Sequence, residues 1–587
     1  MARARSAPSL IHSETAELDE IKAWYRDLLE RTTPPAELQW EPVKIGPTWQ
    51  WKDGWELPDA SLGWEFMAWC GLWLRGKKGP WQFTPEQARF LLWFFALEPD
   101  GQFRYHSSVL QRLKGWGKDP IAATLGVGHL FGPTLFDHWE GDRPVGRDNP
   151  NAWVQIVAVS QVQTQNTMKL FPSLISPEAR RRYGIQVGKL NVWGMGDTRQ
   201  IEAVTASVMA IEGGRPTLIV RNETQNWNSS NGGHDMAGAI EGNAAKSEIG
   251  SPARMLDICN AYRPGEDSVG QRMREAYEQT LGEDAQFGDF GLMYDSLEAP
   301  PEAPLTLEAA PAVVESVRGD AVWLDAHGRI KKSIANPVNP PSESRRKWYN
   351  QITAAEDAWT EPAEFDPLRD ADVEVEPGEE VALFLDCSKS DDATGLVGVR
   401  MSDGHVFTVG MWQRPPGKRG DGWLAPREEV DATVSHAFEQ YNVVGFFGDP
   451  SHVLDDETMD RYWDPLFDEW HLRYRHKLRV WASGTKGGKG HSVMFDMSAR
   501  DNARQFASAV GFTLEEIKSA SFTWDGDARL RRHVLNARRY PVQGYVSIAK
   551  DNRESKNKID LAVCMVGARM VRRLVLAHGK KRGGRVW

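Results

Sequence analysis

The chain has 587 residues, too many for one compact core, so two or three domains are expected. A hydrophobic content of 41% excludes global disorder, and a net charge of −11 excludes a uniformly basic nucleic-acid coat. Any DNA contact must then come from local basic patches. Cys70, Cys259, Cys387 and Cys564 lie far apart with no Cys-x-x-Cys pair, which argues against a disulfide framework or structural zinc and fits a reducing compartment. The basic N-terminus turns acidic instead of entering an apolar run, so no signal peptide is expected. No stretch approaches the apolar length needed to span a bilayer.

Residues 1–60 read as a helical appendage: an amphipathic helix over 14–31, then a Pro/Trp-rich stretch. Residues 62–74 (LGWEFMAWCGLWL) are apolar enough for a buried helix. A second helix opens at Thr84-Pro85-Glu86-Gln87, with Thr84 as N-cap and Pro85 in the first helical position. From 103 onward apolar strands alternate with helices, at 103–110, 153–159, 203–209, 217–220 and 254–259. That alternation implies a largely parallel sheet flanked by helices.

Between the strand at 103–110 and a helix over 121–130 lies Gln111-Arg112-Leu113-Lys114-Gly115-Trp116-Gly117-Lys118-Asp119-Pro120. Strand, glycine turn, Gly-Lys and helix make the layout of a phosphate-binding loop. Glycines such as Gly115 and Gly117 let backbone amides close on a phosphate, the helix N-terminus adds positive potential, and Lys118 reaches the terminal phosphates, with Arg112 and Lys114 adding charge. Two positions depart from the usual pattern: Arg112 stands where the leading glycine is usual, and Asp119 where a magnesium-ligating hydroxyl is usual. A solvated glycine turn is the competing reading. The apolar strand Thr217-Leu218-Ile219-Val220-Arg221 ends in Asn222-Glu223, with Glu223 where a water-activating carboxylate belongs and Asn222 where a metal-associated aspartate is usual. Asp119 and Asn222 together keep one carboxylate in the site, which fits magnesium's need for oxygen ligands and negative charge. A degenerate, non-hydrolysing site is the opposing reading.

At this point the chain resembles the large terminase subunit of tailed bacteriophages, a DNA-packaging ATPase–nuclease. The resemblance is carried by Gln161-Val162-Gln163, by Glu212-Gly213-Gly214-Arg215-Pro216 ahead of the strand at 217–220, and by Asn222-Glu223-Thr224-Gln225. It continues through Ile258-Cys259-Asn260-Ala261, like that family's coupling motif with Cys259 in place of the more usual threonine. Gly265-Glu266-Asp267-Ser268 and Ser344-Arg345-Arg346 also look like family stretches. Gln87 is placed like the glutamine that reads adenine, with a solvated glutamine as the competing reading.

In the C-terminal half, Asp386 follows the apolar run Val381-Ala382-Leu383-Phe384-Leu385, Asp449 ends Val443–Gly448, and Asp560 opens a late apolar helix. Asp386, with a second apolar run after it, reads as an aspartate in mid-strand beside a hairpin, which is costly to bury unless balanced, and a metal ion is an economical partner. Two ions held by such carboxylates stabilise both the attacking water and the leaving oxygen in phosphodiester cleavage. Each aspartate alone reads equally as a turn or cap residue, but their order matches the nuclease domain of large terminases. Asp391 or Asp392 is an auxiliary ligand candidate, and His533 is a candidate to approach the phosphate, against a packed or solvated histidine. Basic stretches at 486–491 and 529–532 are candidates to track a DNA backbone.

The resemblance covers nearly the whole chain beyond residue 60 and implies an α/β protein. It would comprise a P-loop ATPase domain with a mostly parallel sheet (61–350), a linker (351–378), a ribonuclease H-like nuclease domain (379–575) and a basic tail (576–587). It implies ATP and Mg2+ as cofactors, with Mn2+ an option at the nuclease site. Lys118 and the loop amides would hold phosphate, Asp119 and Asn222 would serve the magnesium site, Glu223 would activate water, and Asn260 would link γ-phosphate loss to movement. Asp386, Asp449 and Asp560 would hold the nuclease metals. The implied partners are double-stranded DNA, a small terminase subunit, a portal protein and further copies in a pentameric ring. The implied place is the host cytoplasm and, transiently, the procapsid portal vertex, not the mature virion. Arg112 is the candidate for the arginine finger. A helicase- or repair-type ATPase–nuclease, or a DNA-binding module with both sites degenerate, are the other classes open at this stage.

Overall fold

The computed structural model describes residues 12–205, 213–248, 250–281, 291–353, 357–390, 392–415, 420, 422–455, 459, 461–483, 490–542, 544–550 and 557–582. The chain divides into two compact units, Met1–Thr353 and Ala354–Trp587. Among the described residues no helix is long and apolar enough to cross a membrane.

The first unit opens with helix α1 (His12–Arg31), strand β1 (Val43–Ile45), α2 (Gly63–Trp73), a short hairpin of β2 (Arg75–Gly76) and β3 (Gly79–Pro80), and α3 (Pro85–Phe94). Thr84 caps α3 as its sequence indicates, in a capping box closed by Gln87. Strand β4 (Ser107–Gln111) and α4 (Lys118–Phe131) follow, then a hairpin of β5 (Leu135–Glu140) and β6 (Arg143–Arg147). After β7 (Trp153–Ala158) and α5 (Gln161–Met168) come β8 (Gln186–Val187), β9 (Asn191–Gly194), β10 (Arg199–Thr205), β11 (Leu218–Asn222), β12 (Arg254–Cys259) and β13 (Leu292–Glu298). One nine-stranded sheet runs β1-β13-β4-β12-β11-β7-β10-β9-β8, parallel from β13 to β10 and antiparallel at both edges. Leu218, Val220, Leu256 and Ile258 enter one apolar cluster, while the alternate residues Ile219 and Met255 enter another. Both faces are therefore covered, which is why these strands read as continuous apolar runs.

The first sixty residues are not an appendage. Tyr25 and Leu29 of α1 are buried in the main core, and the Tyr25 hydroxyl accepts the Phe83 N–H at 3.0 Å. Strand β1 pairs with β13 at the sheet edge. Helix α1 packs on α2 and α3 through such buried residues, while Val43 and Trp51 stay partly exposed.

In the second unit β14 (Glu380–Asp386), β15 (Thr394–Arg400), β16 (Val406–Trp412) and β17 (Asn442–Asp449) form a sheet of order β16-β15-β14-β17. The first three strands run antiparallel and β17 lies parallel to β14. A hairpin of β18 (Arg538–Val542) and β19 (Tyr545–Ala549) precedes the final helix, Asp560–Arg582. That helix packs on β14 and β15 at Gly567, where a Cβ would stand 2.2 Å from the Phe384 ring. The helix continues to Arg582, so residues 576–582 are not a tail. Nor is 351–378 a free linker throughout. Trp359 and Phe365 are fully buried in this unit's core, Phe365 stacks on Trp524 at 4.7 Å, and Trp359 N–H donates to the Ala537 carbonyl at 2.9 Å. Pro and acidic neighbours hide those aromatic anchors in the sequence.

Candidate functional site

β4 ends at Gln111 and α4 begins at Lys118, so residues 112–117 turn directly from a buried parallel strand into a helix N-terminus. Gly115 and Gly117 take φ values of 86° and 111°, left-handed conformations that residues with a Cβ rarely adopt. Lys118 is buried, and its Nζ lies 2.8 Å from the Arg112 carbonyl, 3.2 Å from that of Leu113 and 3.3 Å from Asn260 Oδ1. Burial lowers its pKa, opposed by the charges of Glu223 and Asp119. The ammonium is thus folded back onto its own loop. Asn260 follows β12, the neighbour of β4, and its Nδ2 is buried without a hydrogen-bond partner.

The other candidates divide by where their side chains go. Gln87 Oε1 accepts the Thr84 N–H at 3.2 Å, and its Nε2 lies 3.4 Å from the point a Cβ on Gly117 would occupy. The Lys114 side chain is exposed, and its backbone N–H donates to the Lys347 carbonyl at 2.8 Å. Arg112 contributes only backbone to the loop. Its guanidinium is fully buried, pairs with Glu86 at 3.0 Å and with Asp295, and lies 5.2 Å from the ring centroids of both Trp49 and Trp116. It therefore corrects both expectations for Arg112, as a phosphate contact and as an arginine finger: two carboxylates hold the guanidinium in the core, away from solvent.

At the end of β11, Glu223 has φ 60° and ψ 44°, and its N–H donates to the Ile258 carbonyl at 2.8 Å. A non-glycine residue held there stores strain that its surroundings must support. Its carboxylate accepts from Gln225 Nε2. Asp119, in the first turn of α4, accepts from Thr167 Oγ1 at 2.9 Å and from Asn222 Nδ2 at 3.2 Å. The set fits a divalent ion in part. Asp119 offers carboxylate oxygens, whereas Asn222 donates toward it, so Asn222 places Asp119 and is corrected from ligand to positioning group. Thr167 is not marked by any spacing in the sequence, whereas Gln225 falls in the family-like stretch 222–225 without a role of its own. Of the family-like stretches, Glu212 lies outside the described residues.

In the second unit Asp386 and Asp449 end neighbouring parallel strands and face each other in register. Asp560 opens the helix packed on β14, is buried, and has an Oδ2 without a hydrogen-bond partner. Burial, then the charges of Asp560, Asp449 and Asp392, push the Asp386 carboxyl well above the ordinary range. Burial likewise pushes Asp449 and Asp560 up to about 6 each. Crowded, desolvated carboxylates with an orphaned oxygen suit a divalent cation chemically. Among the described residues, however, no group of three or more His, Cys, Asp or Glu side chains is arranged to hold an ion.

The auxiliary candidates fare differently. Asp392 is paired with Lys550 and, at 2.8 Å, with Lys558. Burial alone would raise its carboxyl, but the two ammoniums hold it below the usual range. As placed it balances lysines, which corrects its expected part as a ligand. Asp391 lies outside the described residues. His533 is buried and its Nδ1 accepts the Leu561 N–H at 3.0 Å, so it caps the final helix instead of facing a substrate. Burial, then Arg532, pushes its pKa down to about 3. In the basic run, Arg529 pairs with Asp527 at 2.6 Å and Arg531 with Asp366 at 2.7 Å, so much of its charge is balanced internally. Residues 486–489 lie outside the described residues. All four cysteines are buried and free.

Fold and sites define a two-unit α/β protein, with a glycine loop closed on a buried lysine in one unit and strand-end aspartates in the other. No family model matches the chain. It is 37% identical over 607 aligned positions to the Gene 13 protein of Mycobacterium phage L5, covering 93% of this chain and 97% of that one. To the Gene 13 protein of Mycobacterium phage D29 it is 38% identical over 612 positions, with the same shares of each chain, 93% and 97%. The chain belongs to the family of these mycobacteriophage gene 13 proteins. Among solved structures it is similar to the large terminase of bacteriophage HK97, at 16% identity, 87% of this chain, 99% of that chain and a TM-score of 0.42. It is also similar to the large terminase of a thermophilic bacteriophage in complex with ADP, at 10% identity, 81% and 97% of the two chains, and a TM-score of 0.28. The large terminase nuclease of thermophilic phage G20c with bound magnesium matches at 12% identity, 37% and 98% of the two chains, and a TM-score of 0.25.

Proposed function

We propose that this chain is a phage large terminase subunit, which hydrolyses ATP to drive double-stranded DNA into a procapsid and cuts concatemeric DNA with a metal-dependent endonuclease. The observation that carries the reading is that one chain holds both sets of groups. In the first unit Lys118 lies beneath the glycine loop with Asp119 and Glu223 close enough to act on its charge. In the second, Asp386 and Asp449 face each other in register.

On this reading Lys118 exchanges the Arg112 and Leu113 carbonyls for phosphate oxygens, and the amides around Gly115 and Gly117 complete the cradle. Asp119, oriented by Thr167 and Asn222, holds Mg2+. Glu223, oriented by Gln225, accepts a proton from the attacking water. When Lys118 turns to phosphate, Asn260 Oδ1 loses its partner, and that change carries nucleotide state toward β12 and the residues after it. Asp386, Asp449 and Asp560 hold the nuclease ions, Mg2+ or Mn2+. Bound divalent ions supply Lewis acidity at the scissile phosphodiester and a more acidic water. The resemblance of the sequence motifs to large terminases supports a small terminase subunit, a portal protein and a ring of five copies as partners. It also supports work in the host cytoplasm and at the portal vertex. We propose further that the ATPase half ends near residue 350 and that the nuclease half begins before β14.

The test is Mg2+-dependent ATP hydrolysis by the full chain, with and without linear double-stranded DNA, beside Lys118→Ala, Asp119→Ala and Glu223→Ala. The reading expects turnover lost in all three, with metal-dependent nicking retained, and nicking lost in Asp386→Ala with turnover retained. Undiminished turnover in Lys118→Ala and Glu223→Ala would sink it.

A further inference from the structure

Beyond Asp449 the chain gathers two basic side chains on one carboxylate. Ser451 takes φ 64°, a left-handed conformation that a residue with a Cβ rarely adopts, directly before His452. The loop after it is pinned. Lys389 Nζ donates to the Leu454 carbonyl at 2.8 Å, the Tyr462 N–H donates to the Val453 carbonyl at 3.0 Å, and Leu454 bridges to Arg461. On the facing segment, Asp496 Oδ1 lies 3.3 Å from His452 Nε2 and accepts the Ser498 N–H at 2.9 Å and its hydroxyl at 2.5 Å. Met497, the next residue, donates its N–H to Asp449 Oδ1 at 3.2 Å, so the cluster stands beside a proposed nuclease ligand.

These contacts decide how Arg461 is held. Its Nη1 donates to Asp496 Oδ2 at 3.2 Å, while Oδ1 is taken by His452 and Ser498, so the guanidinium meets one oxygen only. Arg529 and Arg531 are held differently: each sets Nε and Nη2 together on one carboxylate, that of Asp527 or Asp366. Among the described residues Arg461 Nε and Nη2 have no hydrogen-bond partner, and neither nitrogen is buried. That edge carries two parallel N–H groups, the fork that matches two oxygens of a phosphate. The side chain is 35% exposed. Its charge also reaches Asp449, where it opposes the upward push of burial on that carboxyl.

We propose that Arg461 is a backbone-binding residue of the nuclease unit: its Nε and Nη2 take the two non-bridging oxygens of one DNA phosphodiester beside Asp449. This rests on the reading of Asp449 as a nuclease metal ligand. Asp496 is a positioning residue, and His452 and Ser498, by filling its other oxygen, keep the Arg461 fork free. A phosphate contact of this kind fixes the register of the strand on the aspartates and carries no base preference.

The experiment is binding of a short DNA duplex to the full chain, followed by fluorescence anisotropy over a series of salt concentrations, beside Arg461→Ala, Arg461→Gln and Arg461→Lys. Loss of one phosphate contact should lower the slope of log affinity against log salt by about 0.9 in Arg461→Ala. Carried down from 1 M salt, that slope weakens binding about fivefold at about 0.15 M. Arg461→Gln removes the charge but keeps a donor for Asp496, and should show the same drop. Arg461→Lys keeps the charge without the fork, so its slope should stay with the parent. Metal-dependent nicking should show KM for DNA raised by the same factor in the Ala and Gln variants. An unchanged slope in both of those variants would make Arg461 a surface ion pair only and overturn the proposal, whatever their melting temperatures. Nicking that survives Asp386→Ala would instead remove the nuclease reading on which the proposal rests.

Discussion

In the first unit a cation has been gathered in, and in the second unit anions have. Lys118 is buried but surrounded by acceptors: two loop carbonyls and Asn260 Oδ1. Asp119 and Glu223 each receive donors from neighbours. Asp386, Asp449 and Asp560 are buried against one another, and Asp392, the carboxylate with lysine partners, spends them on its own charge. The difference teaches how each site is held before anything binds. The loop is closed by its own hydrogen bonds, and a ligand must compete with them. The aspartate site carries unrelieved repulsion, which a cation would relieve.

The largest effects should show that the two chemistries are separable. Glu223→Gln is expected to lower ATP turnover by about 10²–10⁴-fold, the range for a lost general base, while leaving nicking intact. Asp386→Asn should do the reverse, with nicking abolished and turnover kept; parallel assays on one preparation of each variant check both. If one substitution removes both activities, the contrast between independent sites breaks.

Stability should separate the units next. Arg112→Ala leaves Glu86 and Asp295 buried without their counter-charge, which should cost about 3–5 kcal/mol in urea unfolding. Asp560→Asn should act with the opposite sign. The Asp560 carboxyl is raised from 3.8 to about 6, so between those values the folded chain holds a proton that the unfolded chain has released. Stability from this group is present at low pH, is lost as pH rises through that window and is level above it. Asp560→Asn should therefore stabilise the metal-free chain by about 1–2 kcal/mol at pH 7.5, less than the full shift implies because other charges relax, and little at pH 4. Thermal melts at the two pH values check this, and stabilisation that persists at pH 4 would show a packing effect instead.

The smallest effect should come from His533. Its pKa is lowered from 6.5 to about 3, so as pH falls below about 6.5 the unfolded chain takes up a proton that the folded chain refuses. His533→Ala should cost about 1 kcal/mol at neutral pH through the lost helix cap and should flatten the acid side of the stability profile. Denaturant unfolding between pH 4.5 and 7.5 measures both.

Much of this was legible because the signals are local. The capping box at Thr84 and Gln87, the turn of Gly115 and Gly117, and strand β12 over Arg254–Cys259 each depend on residues within a few positions. Asp449 could be placed at a strand end because an apolar run precedes it, whereas Asp386, which reads as mid-strand, in fact ends β14. The other misreadings share one cause. Arg112 looked like a loop cation because its partners, Glu86 and Asp295, are remote in sequence. Residues 1–60 and 351–378 looked detached because Tyr25, Trp359 and Phe365 find their neighbours far along the chain.

The sequence by itself determined the alternation that makes a parallel sheet, the glycines that permit the loop, and the carboxylates available to each site. These follow from periodicity, backbone freedom and residue chemistry, which act over short spans. Only the tertiary structure decided that Arg112 turns inward, that Asn222 donates to Asp119, that His533 caps a helix and that His452 and Arg461 share Asp496. Each of those depends on which distant donor, acceptor or charge is brought within a few ångströms, and burial then makes the pairing obligatory.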